Sequence, residues 1–496
     1  MLRSRAFSLR ALCLVSFALG LHACSLREEG GGAALGDGDL QSGATDLPPP
    51  QPEKEVRREP VVEKASDEGL KAIRRFTVPD GYEVALYAAE PLLANPVAFC
   101  TDNKGRFYVA ETYRLSAGVT DTRRHMYWLD DDMACRTVED RVAKYRKHLG
   151  EKFESYSMAT DRVRRIEDVD GDGVPDSATV FSTGYSGTAD GLGAGVLAYR
   201  GDVWFACLPD LWLLRDEDGD GHAEKRHSLH NGYGVHTGFL GHDLHGLRFG
   251  PDGRLYFSIG DRGVNLTTRE GTKIFEPDVG LVFRCEPDGT KLEVFARGLR
   301  NPQELVFNDR GDLFTGENNS DSGDKARWVH LVEGGDCGWR IGFQFITEPV
   351  SRGPWNREKL WYPRFEGQAA NIIPPIANIG DGPSGLTYHP GVTAFPDRLR
   401  DTFFLCDFRG DSTKSGIRAI QLEPQGASYR LETEEKLFWG ILATDVDFCP
   451  DGSLAVSDWV TGWEVTGKGR IYKFFDPPRM EDPAVLEVQK LLADGF

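Results

Sequence analysis

Six of the eleven histidines lie between residues 222 and 245. Three of them, His236, His242 and His245, share the stretch HTGFLGHDLHGLRFGPDG just ahead of a strand-like run. An imidazole titrates close to neutral pH, so a histidine held beside a substrate hydroxyl can act as its general base. Two other readings stand beside this one: polar rim residues with satisfied hydrogen bonds, or a histidine-only transition-metal site. Two acidic loops suggest a different chemistry. Asp168, Asp170, Asp172 and Asp176 occupy positions 1, 3, 5 and 9 of one loop, with Gly173 at position 6. Asp216, Asp218, Asp220 and Glu224 repeat the pattern. Hard oxygen donors at this spacing, with glycine at the sharp turn, suit Ca²⁺. Thr179 and His227 stand where an EF-hand has its twelfth-position glutamate, and the loops lie between strand-like runs such as DRVRRIE and DSATVFS. They read as calcium-binding or Asx-stabilised β-turns with a structural role.

These groups need a scaffold, and the chain repeats one. TDNKGRFYVAET (101–112), GPDGRLYFSIGD (250–261), NDRGDLFTGEN (308–318) and CPDGSLAVSDW (449–459) each combine a tight Asp/Asn-Gly turn with a β-strand that ends on an acidic or polar residue. Ten Trp and 57 Gly also favour short strands and tight turns. Recurrence over roughly 400 residues predicts radial four-stranded blades, an all-β, six-bladed β-propeller over residues 75–476. A helical insertion is expected near 136–153, and a C-terminal helix over 477–496, where Leu486, Val488, Leu491 and Leu492 share helical spacing.

The N-terminus reads as an address. Arg3, Arg5 and Arg10 precede the short apolar run ALCLVSFALG, and Leu21-His22-Ala23-Cys24 is similar to a lipoprotein signal-peptidase site. Residues 1–23 are therefore expected to be a lipoprotein signal peptide with lipidation at Cys24. Residues 24–70 are expected to form a disordered tether, Gly-, Pro- and Glu-rich over 25–65. The expected location is outside the cytoplasm, lipid-anchored to a bacterial membrane and facing the periplasm or cell surface. A net charge of −19 argues against wrapping nucleic acid. No CxxC occurs, which excludes c-type covalent haem attachment and zinc ribbons. Cysteines in apolar strand contexts (VAFC, WFAC, FFLC, VDFC) read as buried single thiols. There is no Walker loop and no G-x-S-x-G.

HGLRFGPDGRLYFSIGDRG (245–263), GLRNPQELVFND (298–309), GGDCGW (334–339) and GPSGLTYHP (382–390) together resemble the glucose/sorbosone dehydrogenase family of six-bladed propellers that bind pyrroloquinoline quinone (PQQ) and calcium. VPDGYEVALYAAEPLLANPVAF (78–99), DFRGDSTKSGIRAI (407–420), ATDVDFCPDGSLAVSDWVTGW (443–463) and GKGRIYKF (467–474) look like the propeller module of PVC-type (planctomycete-type) membrane-bound dehydrogenase-like, haem-binding proteins. The resemblance implies an oxidoreductase of sugars or other alcohols, with His242, or His245 if the loop is shifted, as catalytic base. It implies Arg300 and Asn301 as quinone contacts. An arginine suits a planar tricarboxylate because it offers both a bidentate fork and a stacking plane. Arg409 and Lys414 are the candidates for further basic partners. The loop GENNSDSGDKARW (316–328) matches a cofactor-side calcium region, with Glu317, Asn319, Asp321 and Asp324 as oxygen donors. Electrons would pass to a separate cytochrome or other external acceptor. The alternative is a propeller that binds carbohydrate or protein without turnover.

Overall fold

The computed structural model describes residues 58–321, 324–346, 353–359 and 372–495. The expected signal peptide, Cys24 and most of the expected tether lie outside the described residues.

Each Asp/Asn-Gly repeat forms the turn of a β-hairpin. Gly105, Gly253, Gly311 and Gly452 adopt φ of 78–82°, a region glycine enters without steric strain. In the first turn the Lys104 and Arg106 N–H groups donate to Asp102 Oδ1 at 2.9 and 3.1 Å. These hairpins are the first two strands of blades 1, 3, 4 and 6.

The described strands form six antiparallel blades of four strands each and a separate two-stranded ribbon, Val264–Thr267 with Lys273–Glu276. Blade 1 is Pro96–Thr101, Phe107–Glu111, Asp161–Glu167 and Ser177–Tyr185; blade 2 is Gly193–Tyr199, Asp202–Cys207, Asp210–Arg215 and Lys225–Asn231. Blade 3 is Leu244–Phe249, Leu255–Ile259, Gly280–Cys285 and Glu293–Leu299, with Gly335–Asp336 added in parallel at its edge. Blade 4 is Pro302–Phe307, Leu313–Glu317, Arg327–Leu331 and Ala377–Asn378; blade 5 is Pro383–Tyr388, Thr402–Asp407, Gly416–Gln425 and Ser428–Trp439. Blade 6 takes Ala443–Phe448, Leu454–Asp458 and Arg470–Phe475 from the C-terminal part and Glu83–Ala88 from the N-terminal part, in register Glu83↔Phe475. This pairing closes the ring with an N-terminal and a C-terminal strand in one sheet.

Second strands such as Leu255–Ile259 and Leu454–Asp458 are buried at every position, because neighbouring blades cover both faces. A buried apolar cluster fills each gap between blades. Phe257 and Phe283 of blade 3 meet Trp204 and Leu211 of blade 2, for example, and Tyr256 meets Leu305 and Val329 of blade 4. All seven described cysteines are buried free thiols.

The blade 1 insertion, residues 112–160, carries helices Leu129–Ala134 and Val138–Leu149. Thr137 and Asp140 start the second of these with a reciprocal capping box. The C-terminal segment forms two short helices, Pro477–Met480 and Pro483–Asp494. The tether boundary needs correction. Residues 58–70 do not behave as tether: Arg58 and Glu63 donate backbone hydrogen bonds to Met158 and Gly467, and Glu68 opens a helix and pairs with Lys468 and Arg470. Composition hid this, because the anchoring uses backbone groups and charged side chains. Among the described residues, no helix is long and apolar enough to cross a membrane.

Candidate active site

At one end of the ring, each second strand delivers its last residue beside the loop leading into its blade's inner strand. In four blades that residue is a buried acid with two partners. Glu111 accepts from the Ala94 N–H at 2.9 Å and pairs with Arg162, opposite it in the ladder. Glu317 accepts from the N–H groups of Arg300 and Asn301, both at 2.9 Å, and faces Arg327 at 3.4 Å. Asp407 accepts from the Gly382 N–H at 3.0 Å and pairs with Arg418 at 2.7 Å. Asp458 accepts from the backbone of Leu442 and Val460 and stands opposite Arg470. These acids act as clamps, satisfying loop N–H groups and burying their charge against an arginine.

Blade 3 departs from this pattern. Its second strand ends at Ile259, and its third opens Gly280-Leu281-Val282, with no arginine among the first three residues. The acid lies two residues further on, at Asp261, and holds a histidine. His242 Nδ1 is 2.7 Å from Asp261 Oδ1, while Asp261 Oδ2 accepts from Trp339 Nε1 at 2.8 Å and from Gln344 Nε2. The Asp261 N–H donates to the Arg300 carbonyl at 2.7 Å. An ionised carboxylate only accepts, so Nδ1 carries the proton and Nε2 keeps its lone pair. Among the described residues His242 Nε2 has no hydrogen-bond partner. Burial pulls the His242 pKa below its ordinary value, and the Asp261 charge opposes that pull.

Arg300 is the neighbouring cation. It is 1% exposed; Nε donates to Gln344 Oε1 at 3.1 Å and Nη2 to Asp321 Oδ2 at 2.8 Å, while Nη1 is buried without a partner. Burial lowers its pKa. The Phe239 ring joins the group, with its centroid 5.6 Å from His242 and 5.4 Å from the Arg300 guanidinium.

The structure thus brings His242, Arg300 and Asn301 together and gives His245 a different place. His245 Nδ1 lies 3.1 Å from Ser258 Oγ and Nε2 3.1 Å from Asn301 Oδ1, and burial lowers its pKa to about 4. Both nitrogens are occupied, so His245 positions Asn301. His236 spans Asp132 O and Asp278. Among the described residues no histidine belongs to a metal-capable cluster. Arg409 and Lys414 do not join the site. Arg409 is consumed by Asp381 at 2.5 Å and Asp407 at 3.3 Å, and Lys414 is 67% exposed beside Asp411. Another guanidinium of the group is Arg123 of the blade 1 insertion, 4.2 Å over Phe239 and 3.5 Å from the shared Asp321.

Glu317 and Asp321 do not converge as metal ligands among the described residues. Glu317 is the blade 4 clamp, and Asp321 faces two guanidiniums. Asp216, Asp218, Asp220 and Glu224 do converge, as do Asp168, Asp170 and Asp176. Asp172 instead accepts from the Val174 N–H. Both loops join the third and fourth strands of their blades, which puts them at the end of the ring opposite His242. The second loop also stitches blade 2 to the fourth strand of blade 1: Thr179 Oγ1 donates to Gly221 O at 3.0 Å, and the Ala223 N–H to Phe181 O at 2.8 Å.

Asp261, Trp339 and Gln344 were not assigned from sequence. Asp261 was visible as the acid closing the 250–261 repeat, but nothing local showed that it faces a histidine. The family described as a domain of unknown function (DUF7133) matches residues 69–462. The chain belongs to this family. Among solved structures, a putative oxidoreductase (glucose dehydrogenase) from Thermus thermophilus aligns with the DUF7133 chain at TM-score 0.50 and 18% identity, over 79% of this chain and 100% of that one, which shows a shared fold. The pyranose dehydrogenase PQQ domain of Coprinopsis cinerea aligns at 0.48 and 11% identity, over 81% and 97%. Quinoprotein glucose dehydrogenase B of Acinetobacter calcoaceticus is 29% identical over 119 residues, 19% of this chain and 24% of that protein, so the match spans about a quarter of its length.

Proposed function

We propose that this DUF7133 chain is a quinoprotein oxidoreductase of a sugar or another alcohol, using PQQ and calcium and passing electrons to a separate cytochrome or other acceptor. Export and a lipid anchor at Cys24 belong to the same proposal, as does kinship with the PVC-type dehydrogenase-like propellers. The relative named quinoprotein glucose dehydrogenase B suggests the cofactor class.

One observation carries the reading. His242, a base with a free Nε2, stands beside Arg300, which has a buried unpartnered Nη1 donor. A buried donor of this kind is costly unless something accepts from it, and a ligand carboxylate fits. Arg300 and Asn301 would hold PQQ, which when bound supplies a quinone able to take a hydride. Every other role falls to the chain. His242 Nε2 accepts the substrate hydroxyl proton. Asp261 fixes the tautomer and stabilises the imidazolium that forms. The depressed His242 pKa keeps the ring neutral and ready at pH 7. Phe239 packs beside the imidazole, and Trp339 holds the second oxygen of Asp261. Calcium would bind the Asp216–Glu224 loop at the opposite end and brace blades 1 and 2.

Titration with PQQ tests this, followed by the absorbance of the quinone. Saturable binding that Arg300→Gln weakens by about tenfold or more supports the site. A folded chain with no PQQ binding leaves the non-catalytic carbohydrate- or protein-binding propeller as the account.

A further inference from the structure

The loop that carries His242 has little conformational preference of its own. Gly232, Gly234, Gly238 and Gly241 all sit at positive φ. Much of what holds it comes from another blade. Thr237 is the central anchor: its N–H donates to Asp132 Oδ1 at 2.9 Å and its hydroxyl meets both Lys144 Nζ and Tyr145 Oη. On either side, Arg141 Nε donates to Gly234 O at 2.7 Å and the Thr122 N–H to Gly238 O at 3.0 Å. All five of these partners belong to residues 112–160. In blade 2 the equivalent link between second and third strands is only Leu208-Pro209.

Lys144 is the hub. Its side chain is 3% exposed and its partner Asp132 is fully buried. The ammonium lies 4.7 Å from both the Trp128 and Tyr145 rings. A buried ammonium needs such an enclosure of carboxylate, hydroxyl and aromatic faces. The enclosure is completed by Thr237, five residues before His242.

We infer that the blade 1 insertion is the positioning module for the His242 loop and that Lys144 is its positioning residue. This rests on the reading of His242 as the base. Asp261 orients the imidazole from one side, and the insertion sets from the other where the loop delivers it. A loop held about 1 Å out of place forfeits catalysis without losing substrate affinity.

The test uses the whole chain with Lys144→Met, a second variant Arg141→Leu in case burying an unpaired Asp132 prevents folding, and Lys147→Met as the control on the exposed side of the same helix. Hydrogen–deuterium exchange over residues 232–243 should accelerate about tenfold or more in the first two variants, with blades 4–6 unchanged. Sugar turnover with PQQ should show kcat down about tenfold or more and KM held within about twofold. Lys147→Met should match wild type in both. Unchanged loop exchange, or acceleration throughout the blades, overturns the inference. A PQQ-loaded wild type with no turnover sinks the reading of His242 as base, and the exchange data then decide the clamp alone.

Discussion

His242 Nδ1 lies 2.7 Å from Asp261 Oδ1, in the one blade of the five with an acid at or just beyond the second strand's end where that acid holds a side chain rather than its own blade's loop backbone. Four blades use the position to fix a loop; blade 3 uses it to fix the His242 imidazole. Removing the imidazole with His242→Ala should lower turnover by about a hundred- to ten-thousand-fold. His245→Ala should act mainly through stability and cofactor affinity, because both of its nitrogens are already engaged. Steady-state kinetics beside thermal melts separates the two variants.

Asp261→Asn keeps the shape and removes the charge that opposes the burial-driven fall in the His242 pKa. The base must be neutral to work, so activity rises with pH through that pKa. The variant should lose kcat and move its acid limb to lower pH. A limb moving upward would contradict the assignment.

How much of this was legible in sequence depends on the range of the interaction. The hairpin turns were readable because Asp102 and Gly105 are three residues apart. His242 and Arg300 were found through motif resemblance. The His242–Asp261 pair spans a whole hairpin of two strands and their turn, and Lys144 meets Thr237 across 93 residues, so no local pattern announces either. Arg409 and Lys414 offered positive charge as candidate further basic partners. Their nearest carboxylates, Asp381 and Asp411, neutralise them locally.

His245 makes a signed stability prediction. Its folded pKa of about 4 lies below the ordinary value of 6.5 because burial disfavours the cation. The unfolded chain therefore binds the extra proton first as pH falls. Stability from this group is fully present above pH 6.5 and is lost progressively toward pH 4, by about 3 kcal/mol at most. Asp161 and Asp458, whose pKa values burial raises to about 6, pull the other way. The comparison is thus between wild type and His245→Gln in urea melts: the stability gap should be constant above pH 6.5 and narrow toward pH 4.

The clamp at Glu317 predicts a structural cost. Arg327→Met leaves a fully buried carboxylate without its cation, a loss of about 3–5 kcal/mol. Its loop carries Arg300 and Asn301, so ligand affinity should fall with stability. Denaturant melts and quinone titration of the variant read both.

Calcium at the Asp216–Glu224 loop should raise the melting temperature, by the equivalent of about 2.7 kcal/mol at a hundredfold excess over Kd. Asp218→Asn with Asp220→Asn should abolish most of that gain and leave the His242 end intact.

Dye-linked dehydrogenase activity tests the central claim most directly. Folded chain, loaded with PQQ and Ca²⁺, is given aldoses, uronic acids and alcohols with an artificial electron acceptor. Turnover that disappears in His242→Ala while PQQ binding persists is the predicted result. Turnover that survives in His242→Ala, or a PQQ-loaded wild type that oxidises nothing in the panel, would contradict it.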